Sequence, residues 1–363
     1  MYRLLYYIIC LLLFSLPAFT QARFHGKVVV EGTKEPVAAA SIYFNNTSIG
    51  TTTNSKGEFD LPEPGLSNAE LIVSYVGFEP LVYVFKPGGN SSRIYLFELR
   101  KKEPIMEEVL VLPDASRKKY LQLFRDNFLG LTEEADMSKI ANQSALFFTK
   151  PEKGRNSFNA YSDTPLIIIN KKLGYKIYFQ LQEFYFNQDK NMTSFFGFTR
   201  YEELGDKKRW VKNRRKAYYG STMHFFRSLI RDKLDEESYK IFLVKPDSSL
   251  GLGKMDIAYP VTAKQILTAD SMHVGEYSVS GKMKIMIQYN REPDSKTYLK
   301  KKLFVHGSLP FGFRSYLLSN NSDFKIDQNG VLLNPLSVLY NGYWVYEKAA
   351  NLLPYNYDPE AKN

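Results

Sequence analysis

The stretch Ile49–Phe78, IGTTTNSKGEFDLPEPGLSNAELIVSYVGF, constrains the fold of this chain more than any other. It reads as strand, tight turn, strand, loop, strand. Asn54-Ser55-Lys56-Gly57 is the turn, with Gly57 supplying a positive φ. Leu71, Val73 and Tyr75 alternate onto one face, and Gly77 ends the run. Such text describes short antiparallel strands that bury one side.

The flanking text has the same character. Phe24–Val30 and Ala39–Phe44 precede Ile49–Thr53 and Glu58–Leu61; Ala69–Tyr75, Leu81–Phe85 and Arg93–Leu99 complete seven strands. Turn signals at intervals of about eight to twelve residues imply a β-sandwich over 23–100. The chain has 26 Tyr and 26 Phe, types that favour half-buried pleated surfaces, so a mainly β protein is expected throughout.

Residues 1–22 read as a signal peptide: Met1-Tyr2-Arg3, an apolar run Leu4–Leu16, Pro17, then Thr20-Gln21-Ala22 with small residues placed for cleavage. Cys10 in that run is the only cysteine. The mature chain therefore lacks disulfides, thiolate metal sites and a cysteine nucleophile. The formal net charge of +10 points, outside the cytoplasm, to acidic surfaces such as phosphorylated lipid headgroups or acidic glycans rather than nucleic acid.

Four pieces carry a family resemblance. They are Gly26-Lys27-Val28-Val29, Pro36-Val37 with Ala40 and Ile42, Gly50-Thr51 with Thr53-Asn54, Gly57 and Phe59, and Leu71 with Ser74-Tyr75 and Gly77-Phe78. Together they resemble the carboxypeptidase regulatory-like domain, a transthyretin-like β-sandwich of exported and outer-membrane proteins of Bacteroidetes. The resemblance implies an envelope location and a module that serves a neighbour. It implies no peptidase activity, because in the namesake enzymes the module lies beside the catalytic domain. Residues 101–114 form a linker in which Ile105–Leu112 reads as one more edge strand. It also resembles the segment that follows this module in TonB-dependent receptors, but no receptor plug or long barrel follows it.

Residues 115–363 read as an α+β domain with antiparallel sheet. Ala115–Gly130 has helical spacing at Tyr120, Leu121, Phe124 and Phe128. Leu173–Phe186 alternates, with Tyr175, Ile177, Phe179 and Leu181 on one side, and Phe195–Tyr201 is its expected partner. A basic run, Lys207–Lys216, leads into a helix expected to start near Arg215. That helix carries an apolar stripe of Tyr219, Met223, Phe226, Ile230 and Leu234 and closes at Glu236-Glu237. Strands are expected at 281–289, 301–306, 313–318, 324–326 and 330–333, followed by a C-terminal end that is aromatic and then disordered in character. The text from Trp210 to Leu229, with Gly342-Tyr343-Trp344 and Leu353-Pro354, resembles an uncharacterised region that accompanies the module in Bacteroidetes envelope proteins.

The candidate ligand-binding residues are Trp210, Arg214, Tyr218, Ser221, His224, Arg227 and Arg231, with Arg215 beside them. Guanidinium forks and small hydroxyls on one helix face suit phosphate, sulfate or carboxylate, and Trp210 and Tyr218 suit stacking on sugar rings. The bland alternative is a solvated helix face paired with Asp232 or Glu236. His273-Val274-Gly275-Glu276 has the HxxE form of zinc carboxypeptidases, but only His306 is available as a further histidine downstream, and a chance match is the preferred reading. Gly220-Ser221 lacks the GxSxG setting, and Ser221 with His224 does not make a triad. The sequence shows no cofactor motif. It is read as a non-catalytic envelope protein that binds or assembles with an anionic glycan, a lipid headgroup or a protein partner. The alternative is a periplasmic hydrolase whose catalytic domain is unrecognised.

Overall fold

The computed structural model describes residues 22–66, 69–85, 93–102, 114–149, 156–247, 255–291 and 314–361. The expected leader, the Ile105–Leu112 strand, the 301–306 strand and His306 lie outside them.

Seven strands build the N-terminal module: β1 Arg23–Val30, β2 Ser41–Phe44, β3 Gly50–Thr52, β4 Glu58–Pro62, β5 Ala69–Ser74, β6 Leu81–Phe85 and β7 Ile94–Leu99. One sheet has the order β4-β1-β7 and the other β3-β2-β5-β6. Pairing is antiparallel except between β1 and β7, which run parallel. The β3–β4 turn forms because the Asn54 carboxamide oxygen accepts from the amides of Lys56 and Glu58. Val28, Ile42, Phe44, Leu61, Leu71 and Val73 fill the space between the sheets and are fully buried. A disulfide-free sandwich rests on this apolar layer.

The second domain opens with helix α1, Asp114–Phe128, and the short helix α2, Glu133–Asp136. A six-stranded sheet follows: β8 Ser138–Ile140, β9 Leu146–Thr149, β10 Ser157–Ser162, β11 Leu166–Asn170, β12 Tyr175–Asn187 and β13 Met192–Glu203. β12 and β13 form a long hairpin with a bulge between Leu181 and Glu183. β12 buries Tyr175, Ile177, Phe179 and Leu181, as its alternation requires. Phe124 and Phe128 of α1 pack on Phe184 and Phe179, with ring centroids 4.6 and 4.8 Å apart.

Helices α3, Lys208–Tyr218, and α4, Thr222–Ile230, lead into the remaining sheets. These comprise β14 Tyr239–Asp247, β15 Met255–Val261, β16 Leu267–Ala269, β17 Glu276–Val279, β18 Lys284–Tyr289, β19 Arg314–Leu318, β20 Phe324–Asp327 and β21 Leu339–Gly342, with the short helix α5, Ala263–Ile266. One sheet has the order β15-β14-β18-β19-β21, the other β16-β17-β20. Phe225, Phe226 and Leu229 of α4 seed the core between them. The single helix expected from Arg215 to Glu237 is split between the end of α3 and α4, and α4 stops at Ile230 rather than at Glu236-Glu237. Gly220 has φ +88°, and the Ser221 hydroxyl caps α4 by accepting from the His224 amide at 3.2 Å. The strand expected at 330–333 is a single bridge between Leu332 and Ile326.

The module docks on the outer edge of β13. Its buried Tyr43 and Ile72 meet Phe198 and the half-buried Phe196. The turn after β2 extends that edge. The Asn46 amide donates to Thr199 O at 2.7 Å, the Tyr201 amide to Thr47 O at 2.9 Å, and the Thr199 amide to Asn45 Oδ1 at 2.9 Å. Among the described residues, no helix is long and apolar enough to cross a membrane.

Candidate functional site

The sequence-selected residues sit on α3, on α4 and at the break between them. Most point inward. Trp210, Arg214 and Tyr218 recur every four residues and form the buried stripe of α3. The Trp210 ring lies on the backbone of Gly174, whose φ is +72°; a Cβ there would stand 2.2 Å from the indole. Trp210 Nε1 donates to Lys171 O at 3.0 Å, and Asn213 Nδ2 to Lys172 O at 2.8 Å. Arg214 Nε donates to Leu173 O at 2.8 Å and Nη2 to Gly174 O at 3.0 Å, while Nη1 meets Glu203 Oε1 at 2.9 Å. Three side chains thus staple α3 to the turn before β12.

On α4, His224 and Arg227 are committed in the same way. His224 is 3% exposed. Its Nδ1 accepts from the Gly220 amide at 3.2 Å and faces the Tyr239 hydroxyl at 2.9 Å; Nε2 faces Glu237 Oε2 at 3.2 Å. This places the proton on Nε2, with Tyr239 donating. Burial pushes the imidazole pKa down from its ordinary value to about 4, against the attraction of Glu237. Arg227 donates from Nε to Asn329 O, from Nη1 to Tyr357 O and from Nη2 to Tyr355 O, each at 2.9 Å. The Ser221 hydroxyl donates to Tyr218 O at 2.7 Å. Arg231 alone of the seven is exposed.

The anion grip expected of Arg214 and Arg227 is therefore directed at backbone carbonyls. Carbonyl oxygens offer the fork an alternative to phosphate, and burial requires that it be taken. Trp210 and Tyr218, suited by type to stacking on sugar rings, are buried in the core. The C-terminal end, expected to be disordered, is a strap of turns held down by hydrogen bonds. Tyr355 N donates to Asn46 O at 2.6 Å, Asn170 Nδ2 to Ala350 O at 2.8 Å, and Arg215 Nη2 to Pro359 O at 2.8 Å.

The opposite face of α3 is the electropositive one. Lys207, Lys208, Arg209, Lys212, Arg215 and Lys216 are exposed. Among the described residues, Lys207, Lys208, Arg209, Lys212 and Lys216 make no ion pair with a carboxylate. The helix starts at Lys207 without a side-chain cap, and its first turn carries no acid. Bases at a helix N-terminus oppose the macrodipole, costing about 0.3–1 kcal/mol each, and strengthen the local positive field. The signal for this face was present in the sequence, where seven of the ten residues from Lys207 to Lys216 are basic.

Asp270, His273 and Glu276 place potential ligand atoms within 4.8 Å of one another. The Lys325 ammonium already sits among them, 2.6 Å from Asp270 and 3.4 Å from Glu276. The HxxE text is thus an ion-pair cluster around Lys325.

Residues 24–111 match the family model of the CarboxypepD_reg-like domain, and the N-terminal module is a domain of that family. The match runs past β7 into the expected linker. No curated protein matches the chain. Among solved structures, a Bacteroides fragilis protein of unknown function, described as membrane-associated, is 11% identical with a TM-score of 0.18. It covers 44% of this chain, and this chain spans 64% of its length. A Bacteroides uniformis protein described as carbohydrate-binding is 14% identical with a TM-score of 0.18, over 66% of this chain and 97% of its own.

Proposed function

We propose that this chain is a non-catalytic protein of the cell envelope that docks on an anionic surface of phosphorylated lipid headgroups through the outer face of α3. The observation that carries this reading is the division of α3. Its stapled inner face fixes the helix, and its outer face holds five bases without carboxylate partners around an uncapped, acid-free N-terminus. The apolar Leu4–Leu16 stretch and the small residues before Arg23 support export. An anionic glycan or an acidic protein partner would use the same field.

Sedimentation of the mature chain, from Arg23 onward, with vesicles rich in phosphatidylglycerol, against phosphatidylcholine vesicles, tests the reading. Binding to the anionic vesicles alone, weakened by salt, is the expected result. Each base near such a surface is worth about 1 kcal/mol. Lys208→Glu with Arg209→Glu and Lys212→Glu should therefore abolish retention without lowering Tm. Equal retention on neutral vesicles, or an unaffected variant, overturns the proposal.

A further inference from the structure

The chain has two Asn-Gly pairs, Asn329-Gly330 and Asn341-Gly342. In such a pair the glycine nitrogen can reach the asparagine carboxamide carbon, because no Cβ crowds the approach. The fold treats the two pairs differently. Asn341 is exposed on β21, the end strand of its sheet, whose one partner among the described strands is β19. Its carboxamide is held against the next amide, with Gly342 N donating to Asn341 Oδ1 at 2.6 Å. Among the described residues, Nδ2 of Asn341 has no hydrogen-bond partner. Glycine is obligatory at 342: φ is +75°, ψ is −135°, and a Cβ would stand 2.1 Å from Arg314 O.

The other pair is locked. Gly330 is buried, and its amide donates to Asp327 O at 3.0 Å. Asn329 Nδ2 donates to Asp327 Oδ2 at 3.3 Å, its amide donates to Asp327 Oδ1 at 2.9 Å, and its carbonyl accepts from Arg227 Nε at 2.9 Å. Attacking nitrogen and leaving group are both engaged there. At Asn341 the two reacting groups are already side by side and the leaving group is free, which removes much of the entropy cost of an intramolecular attack.

We propose that Asn341 is a site of spontaneous covalent modification, deamidated by water through a cyclic imide. Hydroxide takes the Gly342 amide proton, and the nitrogen adds to Cγ of Asn341 as the carbonyl electron pair moves onto Oδ1. That pair returns, the Cγ–Nδ2 bond breaks, and Nδ2 leaves as ammonia with a proton from water, which restores the hydroxide. Water then opens the imide at either carbonyl, giving aspartate or isoaspartate. Both place a carboxylate at the end of β21, and isoaspartate also lengthens the backbone by a methylene. Trp344 is anchored just beyond, its amide on Ser315 Oγ at 3.3 Å and its Nε1 on Gly220 O at 2.9 Å. The change is therefore transmitted to the break between α3 and α4.

The bases of α3 take no part, so this proposal stands or falls apart from the anionic-surface reading. Peptide mapping by mass spectrometry tests it, on the mature chain from Arg23 onward held at mildly alkaline pH in buffer and in concentrated urea. Isoaspartyl methyltransferase labelling reports isoaspartate. In urea both asparagines should convert at similar rates. In buffer Asn341 should convert ahead of Asn329 by about tenfold or more, since Asn329 reacts only after local opening. Asn341→Gln should remove the fast product. Comparable rates at the two sites in buffer, conversion of Asn341 in urea alone, or aspartate without isoaspartate overturns the proposal.

Discussion

The guanidinium carbon of Arg214 lies 4.0 Å from the centre of the Tyr175 ring, and the same group holds the carbonyls of Leu173 and Gly174. One side chain thereby joins α3 to the start of β12. Arg214→Ala leaves buried carbonyls without donors and should cost about 2–4 kcal/mol. Arg214→Lys should recover little of this, because an ammonium cannot reproduce the planar fork. Denaturant melts of both variants check the prediction; full rescue by lysine would contradict it.

Gly174 faces Trp210 at a distance no side chain tolerates, with φ +72°. Gly174→Ala combines steric overlap with a left-handed backbone. It should destabilise by about 2–4 kcal/mol and shift the tryptophan emission as Trp210 is displaced. Gly65, also at positive φ but with nothing within 4 Å, is the control for backbone strain alone. Gly65→Ala should cost about 1 kcal/mol.

His224 predicts an acid limb of the stability curve. Its folded pKa is lowered to about 4 from 6.5, mainly by burial. A base with a depressed pKa is held neutral in the native state, so the unfolded chain binds the extra proton between those values. The contribution is complete above about pH 6.5 and is lost as pH falls towards 4, on the order of 2–3 kcal/mol. Chemical denaturation across this window should show the slope, and His224→Gln should remove the histidine part of it while lowering stability at neutral pH.

Arg227 and Arg231, adjacent on sequence patterns, should behave oppositely. Arg227→Ala frees the strap at Tyr355 and Tyr357 and should lower stability by about 2–4 kcal/mol. Hydrogen exchange of residues 349–361 should rise with it. Arg231→Ala removes an exposed side chain and should change stability by less than about 0.5 kcal/mol.

The module was legible because its signals are local. The Asn54–Gly57 turn and the inward face of Leu71 and Val73 are decided within a few residues of themselves, whereas Tyr75, expected on that face, is exposed and Ile72 on the other face is buried against Phe198. The β12 face was legible for the same reason. The boundary between α3 and α4 was written in Gly220-Ser221, but the apolar spacing of Tyr219, Met223 and Phe226 continues across it and masks the break. The orientation of the arginines was not legible. Arg214 and Lys212 are equally basic text, and what separates them is the turn some forty residues earlier in the chain. The strap was hidden for a similar reason: its carbonyls are fixed by Arg215 and Arg227, more than a hundred residues away. A partner that is a backbone carbonyl leaves no mark on side-chain identity.

The order of these strap contacts has a mechanical meaning. Tension on the C-terminus reaches Glu360 on Tyr219 and Pro359 on Arg215 first, then Tyr357 on Arg227, then Asn356 on Ser48, and then Tyr355 on Arg227 and Asn46. Each fastening is loaded singly, so the tail peels like a row of snaps and does not shear as a block. The fastenings at Asn356 and Tyr355 couple the end of the chain to the N-terminal module, so a pull that opens them arrives at the seam between the two domains, where Tyr355 also packs against both apolar cores.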